Sequence, residues 1–169
     1  SMDYSLSTAD ASFVGEDVED NSSIFVSGAG DVNGDGLDDI IIGAWANDEG
    51  GNNAGQSYLI FGRISGWSMD TDLSMADASF IGEGPGDFSG APVSGAGDVN
   101  GDGYDDFLIG AIRNDEGGTN AGQTYLITGF LNSEPVEVYS FDVFTEPYSN
   151  PGRVFDIGDK IYMEVTGED

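Results

Sequence analysis

The 169-residue sequence contains no cysteine and no histidine, and it sets only four lysines and arginines against 32 aspartates and glutamates. Without thiol or imidazole there are no disulfides, no thiolate or imidazole metal centre, and no Cys- or His-dependent catalysis. The formal charge of −28 makes nucleic acid and anionic lipid poor partners. Long apolar runs are also missing. The longest, Ile40 to Ala46, falls far short of the ~20 residues a membrane-spanning helix needs, so no membrane insertion by a helix is expected. No basic stretch leads into an apolar run near the N-terminus, so no export signal is legible there. Glycine is the opposite case. The 27 glycines are about 16% of the chain against a usual ~7%, and each would cost a helix interior ~1 kcal/mol relative to alanine. Long helices are not expected, and 38% hydrophobic residues suffices for a compact core.

What the sequence does have is a duplication. A shift of 67 places lays residues 6–62 on residues 73–129 without a gap, with about 40 identities in the 57 pairs. Within each copy the apolar segments are short and bounded by Gly, Asn and Asp, which is a strand-and-turn pattern. Strands are expected near Phe25–Gly30, Asp39–Ala44, Gln56–Gly62 and Ala78–Gly82, with equivalents 67 residues on. Four short strands in up-and-down order, repeated in tandem, suggest propeller blades, because one such sheet cannot cover both its faces alone. The expected organisation is two blades within residues 1–130 and a C-terminal β segment, or the start of a further β module, in 131–169. Alternation in Val136–Val143 and Lys160–Val165 argues two strands in that tail.

Each repeat carries an oxygen-rich loop. Asp31-Val-Asn-Gly-Asp-Gly-Leu-Asp-Asp39 and Asp98-Val-Asn-Gly-Asp-Gly-Tyr-Asp-Asp106 place oxygen side chains at positions 1, 3, 5 and 9, with the carbonyl of position 7 as a further donor. Hard cations that take six to eight oxygens suit such alternation, and glycine at position 6 permits the sharp turn. Calcium is the expected occupant, ahead of Mg²⁺, which keeps more of its water and a strict octahedron. The competing reading is an Asx-rich turn with its acids in solvent. Position 8, Asp38 or Asp105, is expected to point away from an ion.

The residues after the loop separate the families that share it. An EF-hand needs Glu at position 12, where this chain has Ile42 and Ile109, and a dockerin loop runs into a helix. Here Gly-Asp-Val-Asn-Gly-Asp-Gly-x-Asp-Asp is succeeded by an apolar strand, Gly-Ala, and later Ala-Gly-Gln-x-Tyr-Leu-Ile. This pattern resembles the FG-GAP repeat of integrin α-chain propellers and their microbial relatives, over residues of about 6–129. The resemblance implies an all-β fold of two four-stranded blades, with one Ca²⁺ in each loop. The implied ligands are Asp31, Asn33, Asp35, the Leu37 carbonyl and Asp39, then Asp98, Asn100, Asp102, the Tyr104 carbonyl and Asp106. Trp45 and Ile112 stand where the family has proline after Gly-Ala. The tail also has a short likeness to small β-sandwich modules of microbial surface proteins.

Blade number is the main departure, since propellers hold four to eight blades. Three resolutions are open: Ala11–Gly15, matching Ala78–Gly82, closes the second blade from within the chain; several copies assemble into a fuller ring; or the repeats belong to a longer array. The implied function is a calcium-binding, extracellular or cell-surface binding or adhesion module. Its protein or glycan ligand would sit on the loop face opposite the calcium loops, at Asn47–Gly51, Asn114–Gly118 and the connections 17–25 and 84–92. The alternative is a structural assembly unit of a microbial surface with no separate ligand. Trp45 is either a ligand platform or a cover for the end of the core, Tyr58 and Tyr125 are expected to pack, and the four cations to form isolated surface ion pairs. Asp48 and Asp115 are candidates for a second cation site. No catalytic residue is expected, because paired carboxylates alone are common in so acidic a chain.

Overall fold

The computed structural model describes residues 2–130. Within them lie nine strands: β1 (Phe13–Val14), β2 (Ser22–Gly30), β3 (Asp39–Ala44), β4 (Gln56–Ile60), β5 (Thr71–Asp72), β6 (Ala78–Ile81), β7 (Ser89–Gly97), β8 (Asp106–Ala111) and β9 (Gln123–Ile127). The only helical pieces among the described residues are single 3-10 turns at Leu6–Thr8 and Leu73–Met75. The fold is all-β, as the glycine content and the short apolar runs require. The tail strands expected at Val136–Val143 and Lys160–Val165 lie outside the described residues.

The first blade is an antiparallel meander in the order β2-β3-β4-β6, and the second has β7-β8-β9 among the described residues. The two sheets repeat each other's register: Ile42 pairs with Tyr58 as Ile109 pairs with Tyr125, and Ala44 with Gln56 as Ala111 with Gln123. β2 and β7 each carry a register shift at their ends, where Gly30 and Gly97 take left-handed backbone angles (φ 78° and 68°) and turn the chain into the oxygen-rich loop.

Alternation along each strand sends apolar side chains to both faces, so each sheet needs a cover on each side. One face of the first blade packs Ala29, Ile41 and Leu59 against Val93, Phe107 and Ile109 of the second. Phe80 on β6 sits edge-on to Phe107 at 5.3 Å in this layer. The backbones come close here: a Cβ at Gly43 would stand 2.1 Å from the Gly90 carbonyl oxygen, so only glycine fits. The other face of the first blade, with Ile42, Ala44, Tyr58 and Ile60, is covered by Leu73, Phe13 and Trp67.

That second layer closes one of the three resolutions left open by the sequence. The N-terminal strand does not complete the second blade within its own chain. β1 instead pairs in parallel with β5, Phe13 to Thr71 and Val14 to Asp72. Phe13 packs edge-on to Trp67 at 6.3 Å, in the cluster on the far side of the first blade. An apolar face that would otherwise be wet draws the segment there, with the whole first sheet between it and β9.

Candidate metal centre and the opposite loop face

The oxygen-rich loops join β2 to β3 and β7 to β8, at one end of each sheet. In the first, Asp31 Oδ1 accepts the backbone N–H groups of Gly34 (2.8 Å) and Asp35 (3.0 Å), and its Oδ2 accepts that of Gly36 (2.9 Å). Asn33 Oδ1 accepts the Asp35 amide, and Asp35 Oδ1 that of Leu37. Gly34 and Gly36 both have left-handed φ, which lets successive amides turn inward. Asp39, buried at the start of β3, accepts from Val32 (3.0 Å) and from Gly62 at the end of β4's extension (2.7 Å).

The second loop repeats the arrangement bond for bond. Asp98 accepts from Gly101, Asp102 and Gly103, Asn100 from Asp102, and Asp102 from Tyr104. Buried Asp106 accepts from Val99 and Gly129, both at 2.8 Å. The Gly103 amide, with those of Gly101 and Asp102, holds the Asp98 carboxyl below the usual carboxylate range. Burial pushes the Asp39 carboxyl up, against its amide bonds, and the nearby charges of Asp35 and Asp31 add to the rise.

These side chains are therefore gathered within single tight turns, and their donor set is oxygen alone, which fits a hard cation. The loop amides occupy the carboxylates: among the described residues no three acidic side chains converge at metal-holding distance. Position 8 differs between copies. Asp38 is exposed, but Asp105 Oδ2 accepts the Asp31 amide at 3.0 Å, and the Asp105 amide donates to the Asp31 carbonyl at 3.0 Å. Asp105, expected only to point away from an ion, thus clamps the second loop to the first. The Tyr104 ring lies so close to Gly34 that a Cβ there would meet it at 2.3 Å.

At the other end of the sheets, a polar cluster that residue spacing does not announce holds the opposite loops. Asn47 Nδ2 donates to Asp20 Oδ2 (3.1 Å) and to the Tyr58 hydroxyl (3.3 Å), which donates to Glu16 (2.9 Å). Asn114, Asp87 and Tyr125 repeat this at 3.0 and 3.4 Å, with Glu83 bonded to Tyr125. Tyr58 and Tyr125 thus pack, as expected, and also carry a hydrogen-bond network. Asp20 and Asp87 were findable: with Ser22 and Ser89 they are one of two identities inside connections where the copies otherwise diverge. Asp48 and Asp115 accept from Asn53 and Asn120 and close their own loops. Trp45 lies edge-on to Phe88 at 4.8 Å and lines a cavity with Glu19, Asn21, Asp48, Asn52 and Asn53. Arg63 pairs with Asp77 at 2.8 Å, the one ion pair among the described residues, whereas Arg113 sits 4.3 Å above the Phe88 ring. Arg153 and Lys160 lie outside the described residues.

Comparison with known proteins agrees with this geometry. Residues 25–60 and 91–127 each match the FG-GAP repeat, so each match runs from the inner strand through the oxygen-rich loop to the third strand. The chain is also similar to integrin alpha pat-2 of Caenorhabditis briggsae, with 36% identity over 101 residues. That stretch is 59% of this chain and 8% of the integrin chain, so the present chain spans less than a tenth of that relative.

Proposed function

The chain is built on two FG-GAP repeats, and from that premise we propose that it is a calcium-stabilised binding or adhesion module that works outside the cell or at its surface. The observation that carries the reading is the pair of matching loops, each with an all-oxygen donor set folded into one turn. Asp31, Asn33, Asp35, the Leu37 carbonyl and Asp39 would hold one Ca²⁺. Asp98, Asn100, Asp102, the Tyr104 carbonyl and Asp106 would hold the second. A bound ion supplies positive charge and coordination where each loop otherwise crowds like charges, which ties the stability of the loop to extracellular, millimolar calcium.

The residues of this chain prepare the site in two ways. Backbone amides pre-shape the turn around Asp31 and Asp98, and the buried Asp39 and Asp106 anchor the far side of each loop to the end of the third strand. A protein or glycan ligand is assigned to the opposite loop face, where the Asn47 and Asn114 networks fix the loop bases and the Trp45 cavity offers an aromatic edge beside amide and carboxylate groups. The module is read as non-catalytic. Calcium titration followed by thermal melts tests the metal assignment: Tm rises with calcium and falls on adding EDTA, and an unchanged Tm overturns it. Screening protein and glycan arrays with Trp45→Ala as control tests the ligand face, and binding unaffected by that substitution moves the ligand elsewhere.

A further inference from the structure

The two blades leave opposite ends of the stack unequal. Val32 and Leu59, fully buried between the sheets, correspond by the 67-residue shift to Val99 and Leu126, which are 53% and 49% exposed. The face by which the first blade holds the second is thus present again on the second blade, with nothing against it among the described residues. Its edge also has no second partner among the described residues. In the first blade β4 is flanked by β3 and β6, whereas among the described residues β9 is paired with β8 alone.

A segment that fits this edge is in the chain. β6 completes the first blade through Ala78-Ser-Phe-Ile81, paired Leu59 to Ala78, Tyr58 to Ser79 and Ser57 to Phe80. Residues 11–14 read Ala-Ser-Phe-Val. At the position the same shift reaches, the sequence has Pro147 where Phe80 stands, and proline cannot donate to a ladder. Within its own chain Phe13–Val14 is held by a two-residue pairing on the far side of the first blade, beyond reach of its own β9.

We propose that β9 takes Ala11–Val14 from a second copy of this chain, so that copies add head to tail. Carried over from the first blade, the register pairs Leu126 with Ala11, Tyr125 with Ser12, Thr124 with Phe13 and Gln123 with Val14. Phe13 then stands between two copies as Phe80 stands between the two blades. The exposed Leu126 and Val99 meet an N-terminal layer that itself exposes Leu6, Val14 and Met75. Such a contact is heterologous, so it propagates until a ring closes or a filament forms. A charge of −28 per copy opposes it, and association therefore strengthens with salt. The inference goes beyond the calcium reading and does not depend on it.

The chain's lack of cysteine makes the test clean. Full-length Ala11→Cys and Leu126→Cys variants are mixed, oxidised and run without reductant. The expected result is a mixed disulfide dimer at least about tenfold above either variant alone. The double variant gives a ladder or a closed ring, and Ala11→Cys with Gln123→Cys, out of register, gives little. A peptide of residues 9–16 suppresses the cross-link, and the same peptide with Phe13→Asp does not. A double variant that bridges only within one chain overturns the proposal, as does wild-type protein that sediments as a monomer at high salt while the mixture stays uncross-linked.

Discussion

The two repeats are nearly the same sequence in two different surroundings. The hydrogen bonds inside each loop are alike, from Asp31 and Asp98 to the anchoring of Asp39 and Asp106, and at position 8 only Asp105 reaches across to the other copy. Their apolar faces are not alike: Val93 is 7% exposed and its counterpart Val26 is 59% exposed, because only Val93 lies between the blades. Loop geometry is set by residues within one turn, so equal sequence gives equal structure. Burial is set by what a sheet is stacked on, and identical strands differ whenever their neighbours do.

Substitutions that treat the copies in pairs test this contrast. The largest difference is expected at Leu59→Ala, which opens a cavity between the sheets and costs about 2–5 kcal/mol. Leu126→Ala, on the exposed face, costs below about 1 kcal/mol in dilute protein, as chemical denaturation of both variants measures. Equal losses would mean that the second blade is covered. Next come Asp39→Ala and Asp106→Ala without calcium. Each removes the acceptor of two amides, buried at Val32 and part-buried at Gly62, Val99 and Gly129, for about 1–3 kcal/mol, and the two losses should be of the same order, because both anchors are local. Position 8 should then separate the copies again. Asp105→Ala removes the acceptor of the Asp31 amide and costs about 1 kcal/mol, while Asp38→Ala changes melting little.

The smallest effect is alkaline. Desolvation, with the bond to Glu83 second, pushes the Tyr125 phenol up to about 12, and burial followed by the bond to Glu16 pushes Tyr58 higher still. The folded state favours the neutral phenol in both. The stability this gives is complete below pH 10, the ordinary tyrosine value, and for Tyr125 it is lost as the pH climbs toward 12. Tyrosinate absorbance should show Tyr125 ionising before Tyr58, and Tyr125→Phe should flatten the loss of stability between those limits.

Much of this was legible in the sequence because it is local or repeated. Strand positions came from short apolar runs, blade order from the duplication, and the oxygen-rich loops from the spacing of Asp and Asn before an apolar strand. Three features were not legible. The path of Phe13 depends on an apolar face left bare by the first blade, which no spacing reports. Asp105 acts across 74 positions of sequence, on a contact that only the stacking of two sheets creates. Of the Asn47 network only the Asp20 and Asp87 identity shows in the sequence; the rest lies in a connection whose composition reads as solvated turn, and the buried Tyr58 hydroxyl that needs a partner is visible only once the strand is placed.

The Asp105 clamp also bears on how the chain would respond to ions in solution. Because the second loop grips the backbone of Asp31, ordering either loop lowers the cost of ordering the other, and by thermodynamic linkage the benefit is the same in both directions. On the calcium reading proposed above, the two loops would then fill together over a narrower span of concentration than independent sites, and Asp105→Ala would return the isotherm to single-site breadth. Under that reading, the contact of one side chain with a neighbouring loop would turn two separate sites into one threshold.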